Sequence, residues 1–262
     1  MSIDWKAESR RFDAVARMYD QYRPSYPDEV IEQIIADSGL PEYGRILEIG
    51  CGTGIATQLF AQRGYHILGI EQGENLAALA REKLHAYSDI SITVSTFEQW
   101  SPIEQAFDLV FSAQAFHWID KKIGYAKAAY VLKDSGSLAL FWNMYPNPQG
   151  EIFEALNEVY REFAQEIHNP GTISYRALAK ERELEFSRSG FFGPVKVSYY
   201  PWSQRYSVQE YLGLLNTYSD HLRLPEVRRK RLFEAVANLI ERHGGSIEKP
   251  YVAVSYVAHK KL

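Results

Sequence analysis

At 262 residues and 46% apolar content, the chain is long enough to bury a sizeable core, yet no apolar run approaches the roughly 18 to 20 residues of a membrane span. The net charge of -4 gives no global attraction to nucleic acid or to anionic membranes. The single cysteine, Cys51, excludes a disulfide framework and a thiolate metal cluster, so no metal is expected; the amino end MSIDWKAESRRFD lacks the apolar core of a secretion signal, so a cytoplasmic protein is expected.

Phe12, Val15, Tyr19 and Tyr22 recur at helical spacing and predict an amphipathic opening helix. It should stop near Arg23, because Pro24 disfavours helical geometry at the residue before it. A second helix is expected from about Pro27, with Ser25 and Asp28 spaced as a capping box and Val30, Ile31, Ile34 and Ile35 on its buried side. From there strands over 45–49, 66–71, 91–95, 108–113 and 137–142 alternate with helices over 55–63, 75–86 and 121–131. The strands are short continuous apolar runs, as in a sheet covered on both faces. Such alternation implies a parallel, doubly wound α/β sheet with right-handed crossovers.

After Asn143 the pattern changes. Helices are expected over 151–167, 175–187, 208–222 and 226–243, strands over 195–200 and 251–259, and a break at Asn169-Pro170-Gly171. The segments 150–190 and 204–245 read as helical additions folding over the ends of the strands.

Chemistry concentrates at Ile46–Gly54, ILEIGCGTG, where an apolar strand runs into glycines at every second position. Gly50, Gly52 and Gly54 allow a sharp turn and a close ligand, and the next helix presents unpaired N–H groups to whatever lies there. Two cofactor classes use such a loop. The dinucleotide fingerprint G-x-G-x-x-G requires its third glycine where this chain has Ile55. Glu71, closing the second strand, suits ribose hydroxyls in either class. Glu48 discriminates, because an ionised side chain near the end of a buried strand is costly without a cation or several donors. A dinucleotide brings pyrophosphate to that spot, whereas S-adenosylmethionine brings an ammonium and a sulfonium.

ILEIGCGTG with Glu71 resembles the first two motifs of the class I S-adenosylmethionine-dependent methyltransferases. FDLVFSAQAFHW at Phe107–Trp118 resembles the fourth-strand motif of the branch often called type 11, and YDQYRPSYP at Tyr19–Pro27 resembles the amino-terminal signature of its trans-aconitate methyltransferase-like members. The resemblance spans about residues 10–145. It implies a Rossmann-like, mostly parallel seven-stranded sheet with an antiparallel last strand and helical cap insertions. The whole chain, 1–262, is then one methyltransferase domain: 1–44 over the cofactor site, 45–145 the cofactor-binding core, and 150–190 and 204–245 a substrate cap.

The implied cofactor is S-adenosyl-L-methionine. The resemblance sets Gly50, Cys51, Gly52 and Thr53 against its methionine half and Glu48 near its amino group. Arg23, in the signature that Tyr19 opens, pairs with its carboxylate. Glu71 takes the ribose hydroxyls and Gln72 lies beside the adenine. Thr96 stands where the family normally has an adenine-binding Asp, and the Phe97 backbone is the substitute. Ser112 and Gln114 line the methionine side.

Cys51 reads as a small loop residue, since no sequence neighbour activates it as a nucleophile. His117 and Trp118 follow the fourth strand, where open α/β sheets place ligands. His117 is the candidate catalytic residue, as a base or as a hydrogen-bond partner of the acceptor; aromatic packing under the cap is its alternative role. Trp118, Trp142 and Tyr199 are candidates to contact the acceptor. The run RLPEVRRKR at Arg223–Arg231 is either an ion-paired surface or an anion-capturing one.

The expected reaction is methyl transfer to a small molecule, with no nucleic acid or membrane partner, by a monomer or homodimer. A carboxylate acceptor needs no base, whereas a carbon, neutral hydroxyl or protonated amine must lose a proton. A nicotinamide-dependent oxidoreductase and a catalytically silent cofactor-binding protein are the rival readings.

Overall fold

The computed structural model of the chain describes residues 11–167 and 174–261; residues 1–10 and the expected break at Asn169-Pro170-Gly171 lie outside them. Within the described residues, seven strands form one sheet in the order β3-β2-β1-β4-β5-β7-β6. They are β1 (Arg45–Ile49), β2 (His66–Glu71), β3 (Ile90–Val94), β4 (Phe107–Ala113), β5 (Leu132–Met144), β6 (Lys196–Ser207) and β7 (Ser246–His259). The first five pair in parallel, and β7 runs antiparallel to both β5 and β6. The chain order reverses direction between β1 and β4, the place where such sheets open a crevice at their carboxyl ends.

Strand alternation assigns the faces. Leu47 and Ile49 join one core with α5 (Lys121–Val131) and α7 (Tyr175–Ser189). Ile46 joins the opposite core, under α2 (Asp28–Ser38) and α3 (Ile55–Ala61). Glu48 shares the parity of Ile46 and is therefore driven into that second face, where Thr57 of α3 meets it.

The opening helix, α1 (Ala16–Tyr22), ends at Arg23 as its proline requires. Ahead of it Asp13 accepts the N–H groups of Asn75 and Leu76, capping α4 (Glu74–Leu84) and clasping the amino-terminal segment to the end of β2. A Cβ on Gly73 would stand 2.6 Å from the Asp13 carboxylate, so glycine is required for this clasp. The expected capping box on α2 does not form. Pro27 is the N-cap without a side-chain bond, and the Ser25 carbonyl instead accepts from Asn143.

The strands at the carboxyl end are longer than expected: β6 has 12 residues, about twice the 195–200 run, and β7 begins at Ser246, ahead of the 251–259 run. β6 and β7 pair over twelve positions, from Lys196↔Val257 to Ser207↔Ser246, while β5 leaves β7 at Met144↔Val252. The far half of β6 and β7 is thus a two-stranded ribbon projecting past the sheet. Its polar residues, Gln204, Arg205, Glu248 and Lys249, hide it from an apolar-run reading.

A third core forms where α6 (Glu151–Phe163), α8 (Val208–Leu215) and α10 (Glu226–Arg242) pack around that ribbon. The expected 208–222 helix divides into α8 and α9 (Ser219–Arg223), and buried Thr217 sits in the break. From the 150–190 segment, α6 joins this third core, whereas Ala179 and Phe186 of α7 lie against the sheet. Among the described residues no helix is long and apolar enough to cross a membrane.

Candidate functional site

A cavity of about 1140 Å³ opens at the carboxyl ends of β1, β2 and β4, beside a small one of about 40 Å³. Tyr19, Arg23, Gly50, Gly52 and Gln114 line both.

The three loop glycines have φ of +71°, +56° and +78°, but they serve different ends. A Cβ on Gly50 would lie 2.5 Å from the Ala115 Cβ, and one on Gly54 would lie 2.9 Å from Leu84 Cδ1. Those two are demanded by packing. A Cβ on Gly52 would meet nothing within 4 Å, so this glycine is the open floor of the cradle. The Gly52 N–H donates to Glu71 Oε2 and the Gly73 N–H to Oε1, each at 2.8 Å. Glu71 thereby ties the two loops together and keeps about half of its four lone-pair positions for a ligand. Burial pushes its carboxyl upward, and these N–H groups pull the other way.

Glu48 accepts the Thr57 hydroxyl proton and is 1% exposed, and burial pushes its carboxyl up to about 8. The ionised Glu48 of the sequence reading is therefore a neutral acid at pH 7 until a cation is brought beside it. It lines the small cavity with Thr53, whose buried Oγ1 has no hydrogen-bond partner. Cys51 is also buried, its thiol pushed far up by burial, and it packs on Gly69, where a Cβ would stand 2.9 Å from its Sγ.

Arg23 lies between the rings of Tyr19 (4.9 Å) and Tyr218 (4.6 Å). Its Nε donates to Thr217 Oγ1 at 2.8 Å and its Nη2 to the Thr217 carbonyl at 2.7 Å. No carboxylate among the described residues pairs with it.

Gln72, Thr96 and Phe97 line the large cavity at the ends of β2 and β3. Thr96 Oγ1 caps the Gln99 N–H, and the buried Phe97 ring stacks near Trp100. Gln114 takes a left-handed φ of +58° as β4 ends, a strained backbone at the mouth of the site.

His117 and Trp118 line the large cavity, and Trp118 meets Phe12 edge-on at 5.8 Å. Burial, with the charges of Arg182 and Lys121, lowers the His117 pKa to about 3, so its ring is neutral. Its Nδ1 accepts the Trp142 indole N–H at 3.2 Å, which leaves the proton on Nε2. In this state His117 is a hydrogen-bond donor through Nε2 and a poor base.

Three sequence candidates lie elsewhere. Ser112 is fully buried and donates to the Ile49 carbonyl at 2.7 Å, stitching β4 to β1. Trp142 is in the sheet core under the Arg182 guanidinium, 3.8 Å from its ring, and reaches the site only through His117. Tyr199, 44% exposed on edge strand β6, lines neither cavity; it shares the face of Val197 beside the first core. Arg228 pairs with Glu166 at 2.7 Å, so the basic run is ion-paired there.

Sequence reading missed the polar groups of the opposite wall. Asp220 Oδ1 lies 2.7 Å from His221 Nδ1, and His221 Nε2 lies 2.7 Å from the Tyr160 hydroxyl, forming a relay along the cavity. Burial opposes the Asp220 charge, and the bonds and charge of His221 outweigh it, holding that carboxyl below its usual range. Lys249 and Tyr145 complete this side. These residues come from α6, α9, the ribbon and the end of β5, with no fixed spacing; the adjacent Asp220-His221 pair was the one available signal.

The buried orphan hydroxyl of Thr53, the open Gly52 floor and an arginine without a carboxylate fit an adenosyl amino acid. Residues 46–136 match the family model described as a methyltransferase domain. With this sheet order and this glycine loop closed by Glu71, the chain is a class I, S-adenosylmethionine-dependent methyltransferase. It is 26% identical to an uncharacterized methyltransferase of Schizosaccharomyces pombe over 235 residues, 88% of each chain. It is 29% identical to trans-aconitate 2-methyltransferase of Variovorax paradoxus over 119 residues, 45% of this chain and 41% of that one. Its fold matches a candidate type II methyltransferase of Anaeromyxobacter dehalogenans at a TM-score of 0.64 and 19% identity, covering 91% and 97% of the two chains.

Proposed function

We propose that the chain transfers the methyl group of S-adenosylmethionine to a carboxylate oxygen of a small, enclosed acid. The observation that carries this reading is the state of His117. Where β4 ends, the cavity offers a neutral N–H donor and a poor imidazole base, which suits an acceptor that arrives already anionic. The Variovorax relative, named for trans-aconitate, supports an acid acceptor.

On this reading Arg23 holds the cofactor carboxylate and Glu48 its ammonium, which ionises Glu48 on binding. Gly50, Cys51, Gly52, Thr53 and Gln114 bound the methionine body, with Tyr19 stacked on Arg23. Glu71 takes the ribose; Gln72, Thr96 and Phe97 flank the adenine. The bound cofactor supplies an electrophilic methyl, so the chain's own work is alignment of the acceptor and exclusion of water. Residues 11–44, clasped through Asp13, would roof the cofactor, while α6, α8 and α9 with the ribbon would enclose the acceptor beside Trp118.

A second reading has its own observation. The Asp220–His221–Tyr160 relay can accept a proton, which would serve a hydroxyl or amine acceptor. Incubating the protein with methyl-labelled S-adenosylmethionine and a cell extract separates the two. Label released as methanol by mild alkali is the expected methyl ester. Alkali-stable label would favour the relay, and cofactor binding without any transfer would leave a silent binding protein.

A further inference from the structure

Lys249 stands in the β6–β7 ribbon, paired across it with Gln204, and lines the large cavity but not the small one. Its Nζ lies 4.6 Å from the centre of the Tyr145 ring and 5.6 Å from that of Tyr251. No carboxylate among the described residues pairs with it. Nearby in sequence, Glu248 is committed to Ser203 and Arg205; on the same wall Asp220 is committed to His221, and elsewhere along the cavity Glu71 holds the Gly52 and Gly73 N–H groups, Glu98 accepts the Asp120 N–H and Asp120 caps α5. Arg23, also without an acid, lines the same cavity, and tyrosines flank the two cations: Tyr19 and Tyr218 at Arg23, Tyr145 and Tyr251 at Lys249.

Two enclosed cations without a counter-charge are costly, and a bound anion relieves that cost. Both cations face the large cavity, but Arg23 also borders the small one beside the glycine loop and is fixed there by Thr217, whereas Lys249 lines the large cavity alone. Burial, with Arg23 adding to it, lowers the Lys249 pKa to about 8, the expected state of an ammonium that lacks its partner.

We propose that Lys249 is a second anion subsite, which holds a carboxylate of the acceptor distinct from the one methylated and from the cofactor carboxylate at Arg23. The acceptor is then a di- or tricarboxylic acid, anchored at the ribbon while another of its carboxylates meets the methyl group. This assignment rests on the methyl-transfer reading above.

Calorimetry with S-adenosylhomocysteine-saturated protein tests it, using acetate, succinate, propane-1,2,3-tricarboxylate and neutral succinamide as probes. Succinate or the tricarboxylate should bind about ten-fold or more tighter than acetate and succinamide. Lys249→Met should abolish that preference, Lys249→Arg should keep it, and both should leave S-adenosylhomocysteine affinity within about two-fold. Lys249→Gln substitutes for the methionine variant should that one fail to fold. An unaltered preference in the neutral variants overturns the subsite, as does wild-type protein that binds S-adenosylhomocysteine but no polyacid. Loss of S-adenosylhomocysteine affinity in the variants would instead give Lys249 to the cofactor and also overturn it. Wild-type protein that binds no S-adenosylhomocysteine would sink the methyl-transfer reading itself.

Discussion

Glu48→Gln removes one buried acid and leaves an isostere that can still accept the Thr57 hydroxyl. In the folded chain burial raises this carboxyl from 4.5 to about 8. The folded state therefore holds a proton that the unfolded state sheds. Its contribution to stability is complete below pH 4.5 and is lost as pH rises through about 8. One proton corresponds to a slope of at most about 1.4 kcal/mol per pH unit, so the whole window is worth on the order of 5 kcal/mol. Urea melts of both proteins at pH 5, 6, 7 and 8, without cofactor, should show wild type losing stability more steeply than the variant by close to one proton. Glu71 is also pushed upward, but it is common to both proteins and cancels in the difference. The same group reports on the cofactor. At pH 7 a carboxyl at about 8 is about nine-tenths protonated, and an ammonium placed beside it expels that proton. Binding enthalpies measured in buffers of different ionisation heat should count nearly one more proton released by wild type than by Glu48→Gln. Equal melting slopes would refute the buried neutral acid, and equal proton counts would refute its meeting with the ammonium.

Glu71→Ala should weaken cofactor binding by about 1 to 3 kcal/mol in calorimetry, because charged hydrogen bonds are lost and two loop N–H groups are orphaned. Gly50→Ala should cost folding, seen as a lowered thermal midpoint, since its Cβ would collide with Ala115. Gly52→Ala, with open space at its Cβ, should cost about 1 kcal/mol of stability for its left-handed backbone and, in addition, weaken cofactor binding because the methyl fills the cradle. His117→Phe should lower kcat with cofactor affinity intact and leave the shape of the pH–rate profile unchanged between pH 5 and 9. A lost ionisation in that range would mean that His117 titrates, against its pKa of about 3.

The cofactor half of the molecule was readable because it is local. One strand, one loop and one helix carry Gly50, Gly52 and Thr53, and β1, β2, α5 and the start of α3 fall where apolar runs and glycines place them. The parity that buries Leu47 and Ile49 on one face forces Glu48 onto the other, where burial leaves it a proton and the Thr57 hydroxyl. The acceptor half is assembled from distant pieces. Tyr160 and His221 are 61 positions apart, and Arg23 meets Thr217 across 194. Arg23 was legible through its signature, yet its partner was not, because Thr217 works by breaking an expected helix. Lys249 was hidden for a related reason. A ribbon that projects past its sheet needs no apolar face along its whole length, so polar residues there read as loop. The same polarity brings charge to the acceptor wall. Methyl donors of one chemistry need one constant floor, which a short motif can encode. Acceptors differ, and on the proposed reading the wall that would select among them is assembled without a local motif: Lys249 from the ribbon, Tyr160 from α6 and His221 from α9.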